Sequence, residues 1–260
     1  MTFASGTIFL FVVEIVFAAV AYYCITQTVK GNFTPHLRRI AGLDAIEEAV
    51  GRATEMGRPV HFCPGIGAIT DTSAPATFAG LSVLQFVTEL TAKYNTELIV
   101  TIRQPMVFPI AQETVRQAYL AAGKPDMFQE DTVRYLSSEQ FAYAAGVMGI
   151  FHREQVAANI MMGAFWAESM LFAEAGAQVG AIQVAGTASP AQIPFFVAAC
   201  DYTLIGEELF AGGAYLSQDR LRVGSIAGQD YIKLGVMVFL ALGTILATAG
   251  VDALKQLTLK

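Results

Sequence analysis

Two long hydrophobic runs, one near each end of the chain, dominate its pattern of hydrophobic and polar positions. Thr7 to Thr26 and Leu234 to Val251 are each close to the length that a helix needs to cross the hydrocarbon layer of a bilayer. The first run contains one charged residue, Glu14, and the second contains none. We predict an N-terminal transmembrane helix within residues 1–28 and a C-terminal one at 234–251, followed by a tail at 252–260.

Basic residues predict how these helices are oriented. Lys30, Arg38 and Arg39 follow the first run and Lys233 precedes the second, whereas residues 1–6 contain no basic side chain. Because cytoplasmic segments of membrane proteins are enriched in lysine and arginine, we predict that both termini lie outside and the central region lies in the cytoplasm. The missing basic n-region also argues against a cleavable signal peptide.

Glu14 is a membrane-embedded polar residue in this interpretation. A carboxylate in the hydrocarbon layer is costly unless it is paired, protonated or hydrated. Four alternatives follow: a proton or ion relay, a contact with a partner helix, a side chain that reaches the bilayer surface, or a neutral carboxyl between packed helices. In the second run, Gly243 and Ala247 have the small-xxx-small spacing that lets two helices approach closely.

Between the runs, hydrophobic positions alternate between strand-like and helical spacing. We predict strands at 59–63, 97–102, 131–136, 156–161, 181–185 and 202–205, and helices at 43–56, 77–94, 109–122, 138–152, 165–175 and 192–200. Ser138 is expected to cap one helix and Gly176 to end the next.

Alternating strands and helices imply parallel βαβ units, and apolar strands imply a sheet covered on both faces. The predicted fold class is therefore α/β: a Rossmann-like, doubly wound, mostly parallel sheet flanked by the two transmembrane helices. We place this domain at 43–216, with a basic linker at 29–42 and a polar linker at 217–233.

One stretch of the central region allows a competing interpretation. Between residues 155 and 206 the only charged side chains are Glu168, Glu174 and Asp201, so the stretch could hold a further membrane hairpin. Polar amides, glycines and prolines interrupt its apolar runs at short intervals, which favours the α/β domain.

Composition indicates which partners the chain has. Hydrophobic residues make up 54% of it and charged residues 15%, whereas soluble domains carry about 25% charged residues. A protein surface this poor in charged side chains is expected to be covered by the lipid bilayer and by other copies in a homo-oligomer. The net charge of −6 argues against nucleic acid.

In a doubly wound sheet, ligands bind beyond the carboxyl ends of the strands, which selects two loops. In the first, Gly65 and Gly67 could bring backbone N–H groups to an anion, with Thr70 and Asp71 further along. Thr70 stands where the dinucleotide fingerprint has its third glycine, so that motif is incomplete. Arg103 follows the central strand and could add positive charge, and a plain strand-to-helix turn is the alternative.

The second loop follows the strand at 181–185. Gly186, Thr187 and Ser189 could hold an anion at a helix N-terminus, and the alternative is that Ser189 only caps that helix, with Pro190 at its first position.

Other site chemistry has little support. The three cysteines are far apart and there are three histidines, so we predict no metal site. His61, within a predicted strand, is a candidate ligand or base. Glu168 and Glu174 fall on different faces of one helix, which does not suit a carboxylate pair. The sequence identifies neither a cofactor nor a catalytic residue.

Two segments carry a resemblance: GRPVHFCPGIGAITDT at 57–72 and VAGTASPAQIPFF at 184–196, together with the N-terminal helix. With these features the chain resembles a prokaryotic membrane protein family of unknown function. The resemblance implies a prokaryotic origin and no activity.

Three functional hypotheses remain. The leading one is a membrane-anchored, self-assembling α/β subunit of a membrane-associated complex that binds a small anionic or nucleotide-like ligand at the two loops. The alternative is an enzyme that acts on a membrane-proximal small molecule at the same crevice. The third is a transport or proton-coupled component that uses Glu14.

Overall fold

The computed structural model describes residues 7–35 and 38–248. The chain divides into two units: one contains its two ends, up to Leu37 and from Gln218, and the other is Arg38–Ser217. Four segments of the predictions lie outside the described residues: the stretch 1–6, residues 36–37 of the basic linker, the end of the second apolar run at 249–251 and the tail at 252–260.

Helices and strands alternate along the chain, with long helices at both ends. The helices are α1 (Thr7–Val29), α2 (Ala41–Met56), α3 (Ala74–Tyr94), α4 (Phe108–Ala121), α5 (Gln140–Glu154), α6 (Glu168–Gln178), α7 (Ile193–Ala199), α8 (Glu207–Ser217) and α9 (Arg220–Thr248). The strands are β1 (Val60–Gly65), β2 (Leu98–Ile102), β3 (Val133–Tyr135), β4 (Ala158–Ala164), β5 (Ile182–Thr187) and β6 (Tyr202–Ile205). Short 3-10 turns at Pro125–Met127 and Glu130–Thr132 precede β3.

The six strands form one parallel sheet in the order β3-β2-β1-β4-β5-β6. β1 and β4 lie at the centre, and the order of strands runs outward from them in opposite directions. The prediction of a Rossmann-like, doubly wound α/β fold flanked by two apolar helices is confirmed. Residues 155–206 supply β4, β5 and β6, so the alternative of a further membrane hairpin there is wrong.

Helices cover both faces of the sheet. Alternate strand residues point to opposite faces, so each strand contributes side chains to the core on both sides. On one face Val60 and Phe62 of β1 pack with α2, α3, α4 and α8. On the other face Cys63 and Met161 pack with α5, α6 and α7. All six residues of β1 are buried, as expected for a central strand of such a sheet.

Two predicted helix boundaries are wrong. Gly176 does not end its helix but lies buried inside α6, where a Cβ atom would come within 2.8 Å of the Gln183 side chain. The turn comes at Gly180, whose φ is +70°. Ser138 does not cap α5: its N-cap is Glu139, and the nearby serine contact is from the Glu139 N–H to Ser137 Oγ at 3.1 Å.

The region after β6 also differs from the prediction. Helix α8 was not predicted, and the predicted polar linker at 217–233 is helical from Arg220 onward as the first half of α9. Polar residues hid a buried stripe in this half, formed by Val223, Gly224, Ala227 and Gly228. These four positions follow helical spacing and need a neighbour to cover them.

That neighbour is α1, which packs antiparallel to α9. A Cβ atom at Gly224 would lie 2.9 Å from Ile25 Cα, and one at Gly228 would lie 3.0 Å from Ala21 Cα. Near the other end of the pair, the rings of Phe9 and Phe239 are 6.1 Å apart. The close approach at Gly224 and Gly228 uses small-xxx-small spacing, at a pair of glycines that the sequence pattern did not single out.

The remaining surface of the helix pair exposes many large apolar side chains. Both helices are long and apolar enough to cross a membrane by length and composition. Their exposed large side chains include Leu10, Phe11, Ile15, Leu234, Met237 and Leu240. Glu14 lies on the exposed side of α1, so α9 does not cover it.

Candidate functional site

The centre of the sheet creates a crevice at its carboxyl edge. β1 leads into α3 on one face and β4 leads into α6 on the other, so their loops diverge. Such a switch point is where open α/β sheets bind ligands. The loops that line it are residues 66–73 after β1 and 165–167 after β4.

Gly65 fixes the base of this crevice. Its φ is +86°, and a Cβ atom there would lie 2.6 Å from the carbonyl oxygen of Ala164. The next N–H group, that of Ile66, donates to the same oxygen at 2.8 Å. Gly65 is therefore required by the close approach of β1 and β4, in a conformation that glycine adopts without strain.

The rest of the first loop folds back on itself. A Cβ atom at Gly67 would overlap the Ser73 side chain, so residues of the chain itself fill the space beside this glycine. Thr70 and Asp71 are exposed at the loop tip. Asp71 Oδ1 accepts from the Ser73 N–H at 2.7 Å and from the Ser73 hydroxyl, and these bonds lower the pKa of Asp71.

Arg103 is the positive group at this edge. Its Nε donates to Ser138 O at 2.9 Å and its Nη1 donates to Ile66 O at 3.2 Å. Gln104 Nε2 also donates to Ile66 O at 3.2 Å. Arg103 thus holds together the loops after β1 and β3, and within the described residues no carboxylate lies within salt-bridge distance of it.

The second predicted loop lies further along the same edge and is built differently from the prediction. Gly186 is buried within the sheet, where a Cβ atom would lie 2.7 Å from Met162 Sδ. Thr187 is buried too, and its Oγ1 accepts from the Ser189 N–H at 3.3 Å. Ser189 does not cap a helix, because α7 begins only at Ile193, after a turn, with Gln192 as its N-cap.

A buried polar cluster that the sequence analysis missed lies below the crevice. Cys63 Sγ is 3.1 Å from the hydroxyl of Tyr143, which lies 2.9 Å from Thr101 Oγ1. Burial raises the pKa of Cys63 to about 12 and the pKa of Tyr143 well above its usual value. Both groups are therefore protonated at neutral pH, and Cys63 is not an activated nucleophile.

Glu168 is the buried carboxylate of this edge. It is the first residue of α6 and is fully buried. Its Oε1 accepts from the Trp166 N–H at 2.9 Å, and its other oxygen accepts from Gln140 Nε2 at 2.5 Å. A carboxylate suits a helix N-terminus, where the first N–H groups lack partners within the helix.

His61 belongs to a row of hydrogen bonds that crosses the sheet. Its Nδ1 is 2.9 Å from Asn159 Oδ1, its Nε2 is 2.9 Å from Thr101 Oγ1, and Asn159 Nδ2 donates to Gln183 Oε1 at 3.0 Å. His61 and Asn159 are in register with Gln183 on adjacent strands. Burial lowers the pKa of His61 to about 4, so its ring is neutral and acts as a link in this row.

The structure brings together part of the predicted site. Gly65, Gly67 and Arg103 meet around Ile66, whereas Gly186 serves the packing of β4 and β5. Glu14 lies in the other unit of the chain. The row of His61, Asn159 and Gln183 could have been predicted from the sequence, because each residue is a single polar position within an apolar strand. Across the described ranges, no three His, Cys, Asp or Glu side chains come together as a metal site.

Comparison with known proteins gives one match. A family model described as a domain of unknown function (DUF6754) matches residues 1–258 of this chain. No curated protein and no solved structure was found to match it.

Proposed function

We propose a function for this chain on the premise that it belongs to the DUF6754 family, a family of unknown function, so the proposal depends on the chain's own geometry. The proposed role is that of a membrane-anchored α/β subunit that assembles with copies of itself and binds a small anionic ligand. The exposed apolar surface of the α1–α9 pair is the observation that carries it.

Membrane anchoring is supported by that surface. Within the described residues, the pair buries one narrow stripe and leaves large apolar side chains exposed over most of its length. A surface of this size is unfavourable in water and suits lipid or neighbouring apolar helices. Since Lys30, Arg38 and Arg39 follow α1, we place Arg38–Ser217 in the cytoplasm and both ends of the chain outside.

Self-assembly is supported by a second apolar surface, on the α/β unit. A shallow hollow of about 580 Å³ lies between α5, α6 and α7 and is lined mainly by apolar side chains. The exposed fractions of Phe141, Met170 and the nearby Trp166 are 65%, 50% and 48%. Burial of these side chains against another copy would remove them from water.

Anion binding is supported by Arg103. Its two observed bonds use Nε and Nη1, and the guanidinium carries further N–H donors. A small phosphate or carboxylate at the crevice would find there a positive charge fixed between two loops. We propose no transport role, because Glu14 faces away from α9. We also propose no named cofactor.

An enzymatic role is the second candidate, and Glu168 favours it. A buried carboxylate at the switch point of the sheet is placed where a general acid or base would act on a bound molecule. Substrate turnover that Glu168→Gln abolishes while binding persists would establish this role.

Two measurements test the leading proposal. Alkaline carbonate extraction should leave the full chain in the membrane fraction, and native mass spectrometry in mild detergent should show a homo-oligomer. A chain released by carbonate contradicts the anchoring, and a monomer contradicts the assembly.

Titration with inorganic phosphate tests the ligand. Arg103→Gln should weaken phosphate binding about tenfold, since a charge-assisted bond is lost. Arg58→Gln is the matched control, because Arg58 also binds backbone carbonyls, those of Val156 and Val179, but lies before β1 at the opposite edge. Equal losses in both variants, or no phosphate binding by the parent chain, would remove the ligand from the proposal.

A further inference from the structure

The outer surfaces of the two helix layers differ in charge. On the layer that contains α2, α3 and α4, exposed ion pairs join Lys93 to Glu47 at 3.9 Å and Arg116 to Glu113 at 2.7 Å. On the layer of α5, α6 and α7, the hollow described above is lined by described residues of which Glu174 is the single charged one. The outer surface of this second layer, called the apolar face below, is therefore the one that is poorly suited to water.

The apolar face combines large side chains with a hollow that small ones line. Four large side chains around the hollow are between 44% and 65% exposed: Phe141, Trp166, Met170 and Phe195. Alanines make up half of the residues that line it: Ala167, Ala173, Ala177 and Ala199. A surface that carries both protrusions and a hollow can be complementary to itself, because a rotation by 180° places the protrusions of each copy over the alanines of the other.

Contacts between the three helices hold the apolar face in place. Ser169 Oγ of α6 donates to Gln192 Oε1 at the start of α7, at 3.1 Å. The rings of Tyr143 in α5 and Phe172 in α6 lie 5.7 Å apart, edge to face. A partner therefore meets a surface that is already formed, and association costs little ordering of the chain.

The apolar face is large enough for the core of a dimer interface. An aromatic side chain buries about 150–250 Å² when it is fully enclosed, so the half-exposed rings of Phe141, Trp166 and Phe195 offer roughly 300 Å² together. Each partner contributes about 800 Å² to a standard interface. Met170 and Val197, which are 50% and 56% exposed, and the exposed alanines extend the apolar area beyond the rings.

We propose that two copies of the chain associate through the apolar face about a two-fold axis that passes close to Met170, with α6 of one copy against α6 of the other. The proposal rests on the self-assembly proposed above and specifies the contact that produces it. Anchoring of both copies in one bilayer, as proposed, raises their local concentration and favours this contact.

Glu174 distinguishes a second copy from a basic partner. Its carboxylate accepts from Gln178 Nε2 of the same helix at 3.4 Å, and the described residues that line the hollow include no basic side chain. A basic partner would pair with this carboxylate, whereas a second copy covers it without supplying an opposite charge, which is unfavourable. Glu174→Gln should therefore tighten association about threefold, and a weaker association of this variant would overturn the proposed contact.

Tryptophan fluorescence gives a direct measure of the contact, because Trp166 is the only tryptophan of the chain. As the full chain in mild detergent is concentrated, emission should shift to shorter wavelength and acrylamide should quench it less. Met170→Asp places a charge within the contact and should raise the dissociation constant at least tenfold. Phe78→Asp is the matched control: Phe78 is also 50% exposed, but it lies on α3, in the other layer. Equal effects of the two variants would contradict the proposal.

Cross-linking tests the two-fold axis itself. A single cysteine links to its own copy in a partner only near such an axis, because the two Cα atoms must come within about 7 Å. In a Cys200→Ser background, where Cys24 and Cys63 are buried, oxidation should link Met170→Cys into a dimer and leave Phe78→Cys unlinked.

Native mass spectrometry separates the two levels of the proposal. An oligomer that persists in Met170→Asp and gives no Met170→Cys dimer overturns the contact at the apolar face while the proposed self-assembly stands. A parent chain that is monomeric at every concentration overturns the self-assembly as well.

Discussion

At the scale of single residues, the row of His61, Asn159 and Gln183 shows how a sheet accommodates polar groups that water cannot reach. Gln183 Nε2 ends the row by donating to Ala173 O at 2.7 Å. In the described structure no buried side-chain nitrogen or oxygen lacks a hydrogen-bond partner. Each side chain of the row forms a hydrogen bond with its neighbour. Removal of one member would therefore leave buried polar groups without partners and destabilise the fold, whereas the complete row can be buried at little cost.

Stability should fall as the pH drops below the ordinary range of histidine. The pKa of His61 is about 4 in the folded chain and 6.5 for an exposed histidine, so the unfolded chain binds a proton first as the pH falls. The contribution of neutral His61 to the free energy of unfolding is complete above about pH 6.5. It declines by about 3 kcal/mol as the pH falls towards 4. Thermal unfolding of the full chain in detergent between these pH values measures it.

His61→Gln should flatten this part of the pH profile. His152→Gln removes an exposed histidine at the end of α5 and should leave the profile as it is. A profile that is equally steep in the parent and in His61→Gln would show that His61 is not the group responsible.

At the scale of elements, glycines set how closely helices lie on strands and on each other. Gly80 lets α3 rest on the ends of β1 and β4: a Cβ atom there would overlap Met162 O and lie 3.2 Å from Pro64 Cα. These atoms are backbone and cannot move aside as a flexible side chain can. The sequence shows Gly80 only as a glycine inside a helix, a position that usually costs stability.

Gly80→Ala should destabilise the α/β unit by about 2 kcal/mol or more, in the range of overpacked cores. The same substitution at Gly51, inside α2, should stabilise by about 0.5–1 kcal/mol, because a Cβ atom there would meet nothing within 4 Å. Urea unfolding midpoints of both variants would check the opposite signs. Destabilisation by Gly51→Ala as large as that by Gly80→Ala would contradict the account.

The α1–α9 contact gives a second prediction at this scale. Leucine at Gly224 or Gly228 should push α1 and α9 apart, whereas leucine at Gly235, which has open space around it, should not. Disulfide formation between Phe9→Cys and Phe239→Cys would report the contact. Efficient cross-linking in the Gly224→Leu and Gly228→Leu backgrounds would show that close packing there is not needed.

At the scale of the whole molecule, the alternation of elements and the doubly wound sheet could be predicted from the sequence, because most of the strands are mainly apolar and are separated by helical patterns. It did not reveal α8 or the helical start of α9. The stretch 217–233 has the composition of a linker, and its buried stripe of Val223, Gly224, Ala227 and Gly228 makes sense only once α1 is beside it. Gly186 was misread for a similar reason, since its neighbours Met162 and Leu204 come from other strands.

The antiparallel α1–α9 pair also predicts where the chain ends lie. Since Phe9 is beside Phe239, both helices point their terminal ends in one direction, and tags at the two ends should lie on the same side of a membrane. A tag in the exposed turn at Gly123 should lie on the other side. Protease digestion of sealed vesicles distinguishes these sides, and two end tags with different protection would exclude the arrangement.

The pairing of the first helix with the last has a consequence for synthesis. About 190 residues separate Val29 from Arg220, and a ribosome adds about 5–20 residues per second. For about 10–40 s, therefore, a newly made α1 has no α9 to cover Ala21 and Ile25, while the whole α/β unit emerges and can fold. The contact between α1 and α9 can therefore form only after all residues of the α/β unit have been made.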